Sequence, residues 1–530
     1  MIRKPVLHPL LRPVLPLLLI SLVFGLPADP GGLLRVDHWG LAPELCMLVG
    51  LLAVCHMRGW YPNRWVCPLL ALMTLPIVLL HLADLVAQLV TGRPMQPLYD
   101  LALIPALWNV VAGSIGVVPM IFLIGAVPGV ILAGLFFAYR DLLASLTVAE
   151  GRWMALGVAT LVPILSLAGL PGAQPLSQGA VAMIQDQIRR VEQGHQTQRA
   201  LADALAHDPF SGVPAAQLFS FLRDHPLVVI WVESYGQSAL TDSRQAPLVS
   251  ARLAQLEQQL TANGFHMLSG LVDSPVLGGR SWLAHGTLRA GIRQEQPIQQ
   301  GLVLASGRPS LVSALKQGGW HTFAVMPGLA GPWPEGRIWG FDKVFNAHDL
   351  GYGGPAYGWS PMPDQALFAA LDAIQPFEAK PTYLELVLTS SHAPWTPLPP
   401  WKEEMTGLVD GSAYGPPDGA DYTRMAQSYG QSIDYSLRAA GDWLVRSLPD
   451  NALVLMLGDH PAVGWIADPT TTGHHVPLHI LSKNASLVEM ARGWGLADGM
   501  VPAAQASAIP MQDLLAKLIA TYSGPKPGGV

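Results

Sequence analysis

The chain has 530 residues, a net charge of −6, 13% charged residues and 50% hydrophobic ones. A mean hydropathy of +0.33 is too apolar for a wholly soluble protein, and the length allows two or three domains. No Lys/Arg-rich run supplies the positive surface that a nucleic acid requires, so no nucleic-acid partner is expected; Cys46, Cys55 and Cys67 all lie in the apolar N-terminal part and leave the rest without a disulfide framework.

Five apolar stretches have the length of bilayer-crossing helices: residues near 9–26, 39–57, 66–90, 114–138 and 152–170. The first resembles a signal peptide but lacks a convincing small-residue cleavage site and is read as retained. Arg3, Lys4, Arg12, Arg58, Arg64, Arg140 and Arg152 fall on one side of these spans and only Arg35 and Arg93 on the other. The N terminus is therefore expected in the cytoplasm, and an odd number of spans puts everything after about residue 171 outside. Residues 95–112, interrupted by Pro105, read as a re-entrant or interfacial helix; a sixth span there would invert the topology. Glu44, His81 and Asp84 fall inside spans, where they form a polar notch for a lipid head group, or else pair with one another or with the backbone, or reach the interface.

Residues 171–220 read as a helical linker over the membrane surface, and the pattern changes again at about 221. Short β-rich runs (LVVIWV, HTFAVM, TYLELVLT, ALVLMLG, PLHILS) alternate there with helical stretches such as APLVSARLAQLEQQLTANG and YGQSIDYSLRAAGDWLVRSL. That alternation predicts an α/β domain with a mostly parallel sheet sandwiched by helices. The Gly/Pro-rich stretches 327–362 and 394–420 read as long loops that wall a site.

Glu233 and the pair Asp459-His460 each close an apolar β run, the place where open α/β sheets put their chemistry. An unpaired buried Asp is costly, and metal coordination is one way to offset that cost. The plainer alternatives are a helix cap for Glu233, and a helix N-cap followed by a surface His for Asp459-His460. Ser281 follows two glycines in GGRSWLAHG, which allows a tight turn presenting the hydroxyl at a helix N-terminus, where backbone N–H groups favour phosphate. Ser281 can equally be a simple helix cap, and Thr287 and His285 are local rivals.

In that order, LVVIWVESYGQS, GGRSWLAHGTLRAG, LVLTSSHAPWTP, YGQSIDYSLRAAGDWL, LVLMLGDHPAV and GHHVPLHILS resemble the lipoteichoic acid synthase group of the alkaline phosphatase superfamily, with its phosphoglycerol and phosphoethanolamine transferases. The resemblance covers roughly residues 221–522 together with the five-span topology. It implies that Glu233, Ser281, Asp459 and His460 hold one divalent ion, Zn or Mn, with Ser281 as the nucleophile. It further implies that His392 contacts the phosphate or protonates the leaving oxygen, and that His474 or His475 faces the site. Trp333 and Arg337 resemble the head-group contacts, at altered spacing.

The expected chain is thus a five-helix transmembrane domain (1–170), a linker (171–220) and an extracytoplasmic metal-dependent domain (221–530) in a bacterial inner membrane. The function expected from the resemblance is transfer of a phosphoethanolamine or phosphoglycerol head group from a phospholipid, through a phospho-Ser enzyme, to an extracytoplasmic glycan. A sulfatase-like or phosphatase hydrolase of the same fold and an inactive scaffold of an envelope-polysaccharide assembly are the alternatives.

Overall fold

The computed structural model describes residues 16, 20, 42–91, 94–100, 117–167, 180–329, 331–378, 381–463, 466, 473–503 and 507–524. The chain divides into two compact units, Met1–Thr197 and Gln198–Val530.

In the first unit the apolar stretches form α1 (Pro43–Met57), α2 (Val66–Thr91), α3 (Val117–Ser145) and α4 (Ala149–Leu167), and α5 (Ala180–Leu205) begins there. Two segments, Val66–Gln88 and Val118–Ser145, are long and apolar enough to cross a bilayer. At about 1.5 Å per residue each exceeds the ~30 Å hydrocarbon core. The stretch near 9–26 and most of 95–112 lie outside the described residues, so two of the five expected spans meet that test among those described. α1 packs on α4 through small residues: a Cβ placed on Gly50 would come within 2.9 Å of the Ala159 Cβ. Asp84 is paired, accepting from the Arg190 guanidinium at 2.6 Å and the Met95 N–H at 2.7 Å, and Glu44 accepts from the Val181 N–H at 3.0 Å. Both accept from backbone N–H groups, as one of the expectations for these acids had it, but the Arg190 ion pair of Asp84 was not expected.

The second unit is built on a nine-stranded sheet: β1 (Leu227–Val232), β2 (His266–Asp273), β3 (His321–Val325), β4 (Lys343–Phe345), β5 (Thr382–Leu388), β6 (Leu453–Gly458), β7 (His475–Ser482), β8 (Ala497–Asp498) and β9 (Ile509–Pro510). Its order is β4-β3-β5-β1-β6-β7-β2-β8, with β9 beside β2. The five strands from β4 to β6 are parallel and β2 and β9 share their direction, while β7 and β8 run against it, so the sheet is mixed but mostly parallel, as expected.

The central strands are continuous apolar runs because both sheet faces are covered. Leu227, Val229 and Trp231 of β1 point into one core, and Val228, Ile230 and Val232 into the other. The first core includes Leu283, Ala284 and Leu288 of α7 (Ser281–Ala290). The second is covered by α6 (Ala246–Ala262), α8 (Asp364–Ile374) and α9 (Met425–Ser447).

Candidate metal centre

β1 lies between β5 and β6, with Val232 level with Leu388 on one side and Gly458 on the other. The residues that follow these three strand ends therefore emerge side by side: Glu233 after β1, Asp459-His460 after β6, and Thr389–His392 after β5. Gly458 permits a close crossing, because a Cβ there would fall 2.0 Å from the Tyr235 carbonyl oxygen. The chain after β1 turns through Ser234, at a left-handed φ of 60°, and the Tyr429 hydroxyl donates to the Ser234 carbonyl at 2.8 Å.

Glu233, Asp459 and His460 are buried, and one ligand atom from each lies within 4.8 Å of the others. Asp459 Oδ1 accepts from the N–H groups of Ser234 (2.8 Å) and His460 (2.7 Å), while its Oδ2 is buried with no partner. His460 Nδ1 lies 2.9 Å from the Pro461 carbonyl oxygen, to which only a protonated Nδ1 can donate. In neutral His460 this leaves the Nε2 lone pair facing Glu233 Oε1 at 3.2 Å.

The electrostatics of this group are those of a cation site. Burial, reinforced by the charge of Glu233, pushes the Asp459 carboxyl up to about 7. Burial alone would lower His460, but the Asp459 and Glu233 carboxylates override it and push the imidazole up to about 9. Burial works against ionised Glu233 as well, and its bonds with His460, Asp459 and Ser281 hold it below its ordinary value. A proton on His460 Nε2 is one way of balancing two buried carboxylates, and a divalent cation is the other. The partnerless Asp459 Oδ2 and the mixed oxygen and nitrogen donor set fit the cation.

Ser281 joins this group from a different part of the chain. Gly278, Gly279 and Arg280, all at positive φ, form the turn that opens α7, and Gly278 N–H donates to the Pro461 carbonyl at 2.9 Å, which ties the turn to His460. Ser281 Oγ then stands 3.0 Å from each Glu233 oxygen and 3.3 Å from His460 Nε2, at the positive end of a ten-residue helix. The local rivals lie deeper. Thr287 donates to the Leu283 carbonyl and accepts from Gln294 N–H, and His285 stacks on Trp231 with ring centroids 4.4 Å apart. Burial holds His285 well below its ordinary value.

His392 reaches the group from the β5 side, its Nε2 4.0 Å from Glu233 Oε1 and its ring flat against Trp359 at 3.8 Å. Burial holds it below the ordinary imidazole value. His474 and His475 flank the start of β7, with Nδ1 3.2 Å from the Ser274 carbonyl and from Gln237 Oε1 respectively. Trp333 packs on Phe341, with the Arg289 guanidinium 5.4 Å over its ring, and Arg337 is exposed on the short helix Glu335–Trp339 that follows.

Arg289 is part of a buried network that the sequence reading missed. It pairs with Glu385 in mid-β5 at 2.6 Å, and Glu385 also accepts from Trp231 Nε1 and the Tyr383 hydroxyl at 2.9 Å each. Trp359 was missed too, although it lies in the loop expected to wall the site. One Trp among the 16 in this chain carries no signal until its neighbour is known.

Residues 288–487 match the family model described as Sulfatase, in keeping with the superfamily that the motifs resemble. The matched range includes His392, Asp459 and His460 but neither Glu233 nor Ser281. No curated protein matches the chain. Among solved structures, it is similar to an alkaline phosphatase superfamily protein from Vibrio parahaemolyticus (18% identity, 50% of this chain and 62% of that one, TM-score 0.35). It is similar to the lipoteichoic acid synthase LtaP from Listeria monocytogenes (13%, 62% and 80%, TM-score 0.40). It is also similar to the lipooligosaccharide phosphoethanolamine transferase A of Neisseria meningitidis, an integral membrane protein (14%, 91% and 96%, TM-score 0.39). The chain thus spans less than two thirds of the Vibrio protein's length.

Proposed function

We propose that this chain is a membrane-anchored, metal-dependent phosphotransferase that moves a phosphoethanolamine or phosphoglycerol head group from a phospholipid to an extracytoplasmic glycan. The observation that supports this most directly is Ser281 Oγ at the start of a helix, within 3.3 Å of Glu233 and His460, which cluster in turn with Asp459. In this reading residues 1–170 carry five spans, 171–220 link, and 221–530 face the periplasm from a bacterial inner membrane.

Glu233, Asp459, His460 and Ser281 would hold one Zn or Mn ion. When bound, such an ion lowers the pKa of the hydroxyl and stabilises negative charge on phosphate oxygens. Ser281 Oγ attacks phosphorus, the Ser–O–P bond forms, and the bond to the diacylglycerol oxygen breaks. The Ser281 proton passes along its existing hydrogen bond to Glu233. Binding of the anionic phosphate favours the protonated form of His392, partly exposed beside Glu233, which delivers its proton to the departing diacylglycerol oxygen. A glycan hydroxyl then attacks the phospho-Ser phosphorus and loses its proton to the now neutral His392, the Ser281 Oγ–P bond breaks, and Glu233 returns its proton to Ser281 Oγ. The first-turn N–H groups of α7 favour the phosphate throughout. His475, His474, Trp333 and Arg337 are proposed as outer contacts of head group or acceptor, and assembly with envelope-polysaccharide proteins belongs to the same reading.

Intact-mass measurement of the full chain after incubation with phosphatidylethanolamine or phosphatidylglycerol tests this. A Ser281-dependent adduct of either head group is expected, and its mass names the donor. The Sulfatase match favours a second reading, hydrolysis, in which water takes the place of the glycan. Head-group phosphate released to water with no adduct and no glycan product would select it.

A further inference from the structure

Two segments that wall the site are joined at one buried acid. Asp364 opens α8 and has no exposed surface. Its Oδ1 accepts from the N–H groups of Thr389 (2.8 Å) and Ser390 (3.0 Å), and its Oδ2 accepts from the Ser436 hydroxyl of α9 (2.6 Å). Its own N–H donates to Ser390 Oγ at 2.9 Å, so the two residues clasp each other. Thr389 Oγ1 in turn lies 2.7 Å from Ser360 Oγ, and Ser360 is the neighbour of Trp359. Beyond the clasp, the Ser391 hydroxyl donates to the Glu233 carbonyl at 2.7 Å, and His392 follows it.

A buried carboxyl is costly unless donors converge on it, and here two of the three donors belong to the turn that carries His392. The packing of Trp359 on that imidazole needs further room. A Cβ on Gly328 would meet the indole Cη2 at 2.7 Å, so the glycine lets the ring lie where it does.

We propose that Asp364 is a positioning residue. It holds the Thr389–His392 turn and, through Thr389 and Ser360, the Trp359 that stacks on His392, so that the imidazole is aimed at the reacting phosphate and not left to rotate. This rests on the reading of His392 as a proton donor and acceptor in the proposed transfer.

The test uses the full-length protein in detergent, with Asp364→Ala and Asp364→Asn, each with and without His392→Ala. Two readouts are independent of turnover: the rate at which diethyl pyrocarbonate modifies His392, read on its peptide by mass spectrometry, and the affinity for zinc. The third is the rate of Ser281 adduct formation from phosphatidylethanolamine or phosphatidylglycerol vesicles. Asp364→Ala is expected to raise His392 modification severalfold and slow the adduct roughly 10²-fold, the scale of a misplaced catalytic group. Zinc affinity should change less than twofold, because Glu233, Asp459 and His460 belong to other strands. Asn, which keeps the acceptor for Thr389 and Ser390, should restore most of the rate, and the loss should vanish in the His392→Ala background. Unchanged His392 reactivity, or losses that multiply in the double variant, overturns the proposal. If Asp364→Ala does not fold, Thr389→Val cuts only the link to Ser360 and should still raise His392 reactivity; no rise there overturns it as well. If the wild type forms no adduct from either lipid, the transfer reading fails while the modification rates still decide the positioning role.

Discussion

Ser281 Oγ stands 3.0 Å from both carboxylate oxygens of Glu233. A hydroxyl has one proton and two lone pairs, so Ser281 directs its proton at Glu233 and keeps its lone pairs for a cation or for phosphorus. Ser281→Ala should therefore fold with near-wild-type thermal stability and lose adduct formation by roughly 10³-fold or more, as removal of a nucleophile does. Retained adduct on the Ala variant, located by peptide mass spectrometry, would move the nucleophile elsewhere.

Asp459→Asn keeps an acceptor for the Ser234 and His460 N–H groups but removes the charge behind the partnerless Oδ2. Zinc or manganese affinity, measured by titration calorimetry, should fall by at least 10-fold. Chelation should lower the wild-type melting temperature, since a ligand at 100 times its Kd stabilises by about 2.7 kcal/mol. The variant's melting temperature should then respond far less to chelator.

Gly458→Ala should destabilise the domain by about 1–3 kcal/mol, the cost of forcing a methyl into packed space. The added Cβ would fall 2.0 Å from the Tyr235 carbonyl oxygen, so either β6 or the turn after Glu233 must shift. Denaturant unfolding reads the stability, and metal affinity should fall with it because Asp459 is the next residue.

His479 of β7 is fully buried between Ser269 Oγ (2.8 Å) and the Tyr235 hydroxyl (3.3 Å), and burial lowers it to about 3. Its folded value lies below the unfolded one of about 6.5, so the neutral ring contributes stability that is complete above pH 6.5 and is lost as pH falls toward 3. Each pH unit in that window should cost about 1.4 kcal/mol from this group. His479→Gln should flatten the acid limb of a stability-versus-pH curve. An unchanged limb would assign the acid sensitivity to other groups.

Glu385→Gln or Arg289→Met should each cost about 3–5 kcal/mol, because either change leaves the other charge buried and unpaired. Replacing both with apolar residues should recover much of that loss in thermal unfolding, the signature of a pair whose desolvation nearly cancels its attraction.

The parts of this fold legible in the sequence are those with a regular apolar period. The run LVVIWV at 227–232 and the amphipathic stretch read at 429–448 appear as β1 and α9 because their burial patterns leave few alternatives. β2 escaped notice since Ser269 and Gly270 interrupt HMLSGLVD; its Ser is buried against His479, and Gly270 makes room for Leu496. The reversed direction of β7 was equally hidden, because strand polarity is set by the connection and leaves no mark on the strand itself. Glu233, Ser281 and Asp459-His460 could be named from their places after strands or glycines. Asp364, Ser391 and Trp359 could not, since their significance lies in partners 26, 158 and 33 positions away.

The three strand ends that deliver His392, Glu233 and Asp459 are neighbours in one hydrogen-bonded ladder. Adjacent strands lie about 4.8 Å apart whatever their side chains, so the backbone acts as a ruler and the side chains as interchangeable pegs along it. Exchanging a peg alters which ion or leaving group is served but leaves the gauge untouched, and a scaffold of this kind can change its chemistry without refolding.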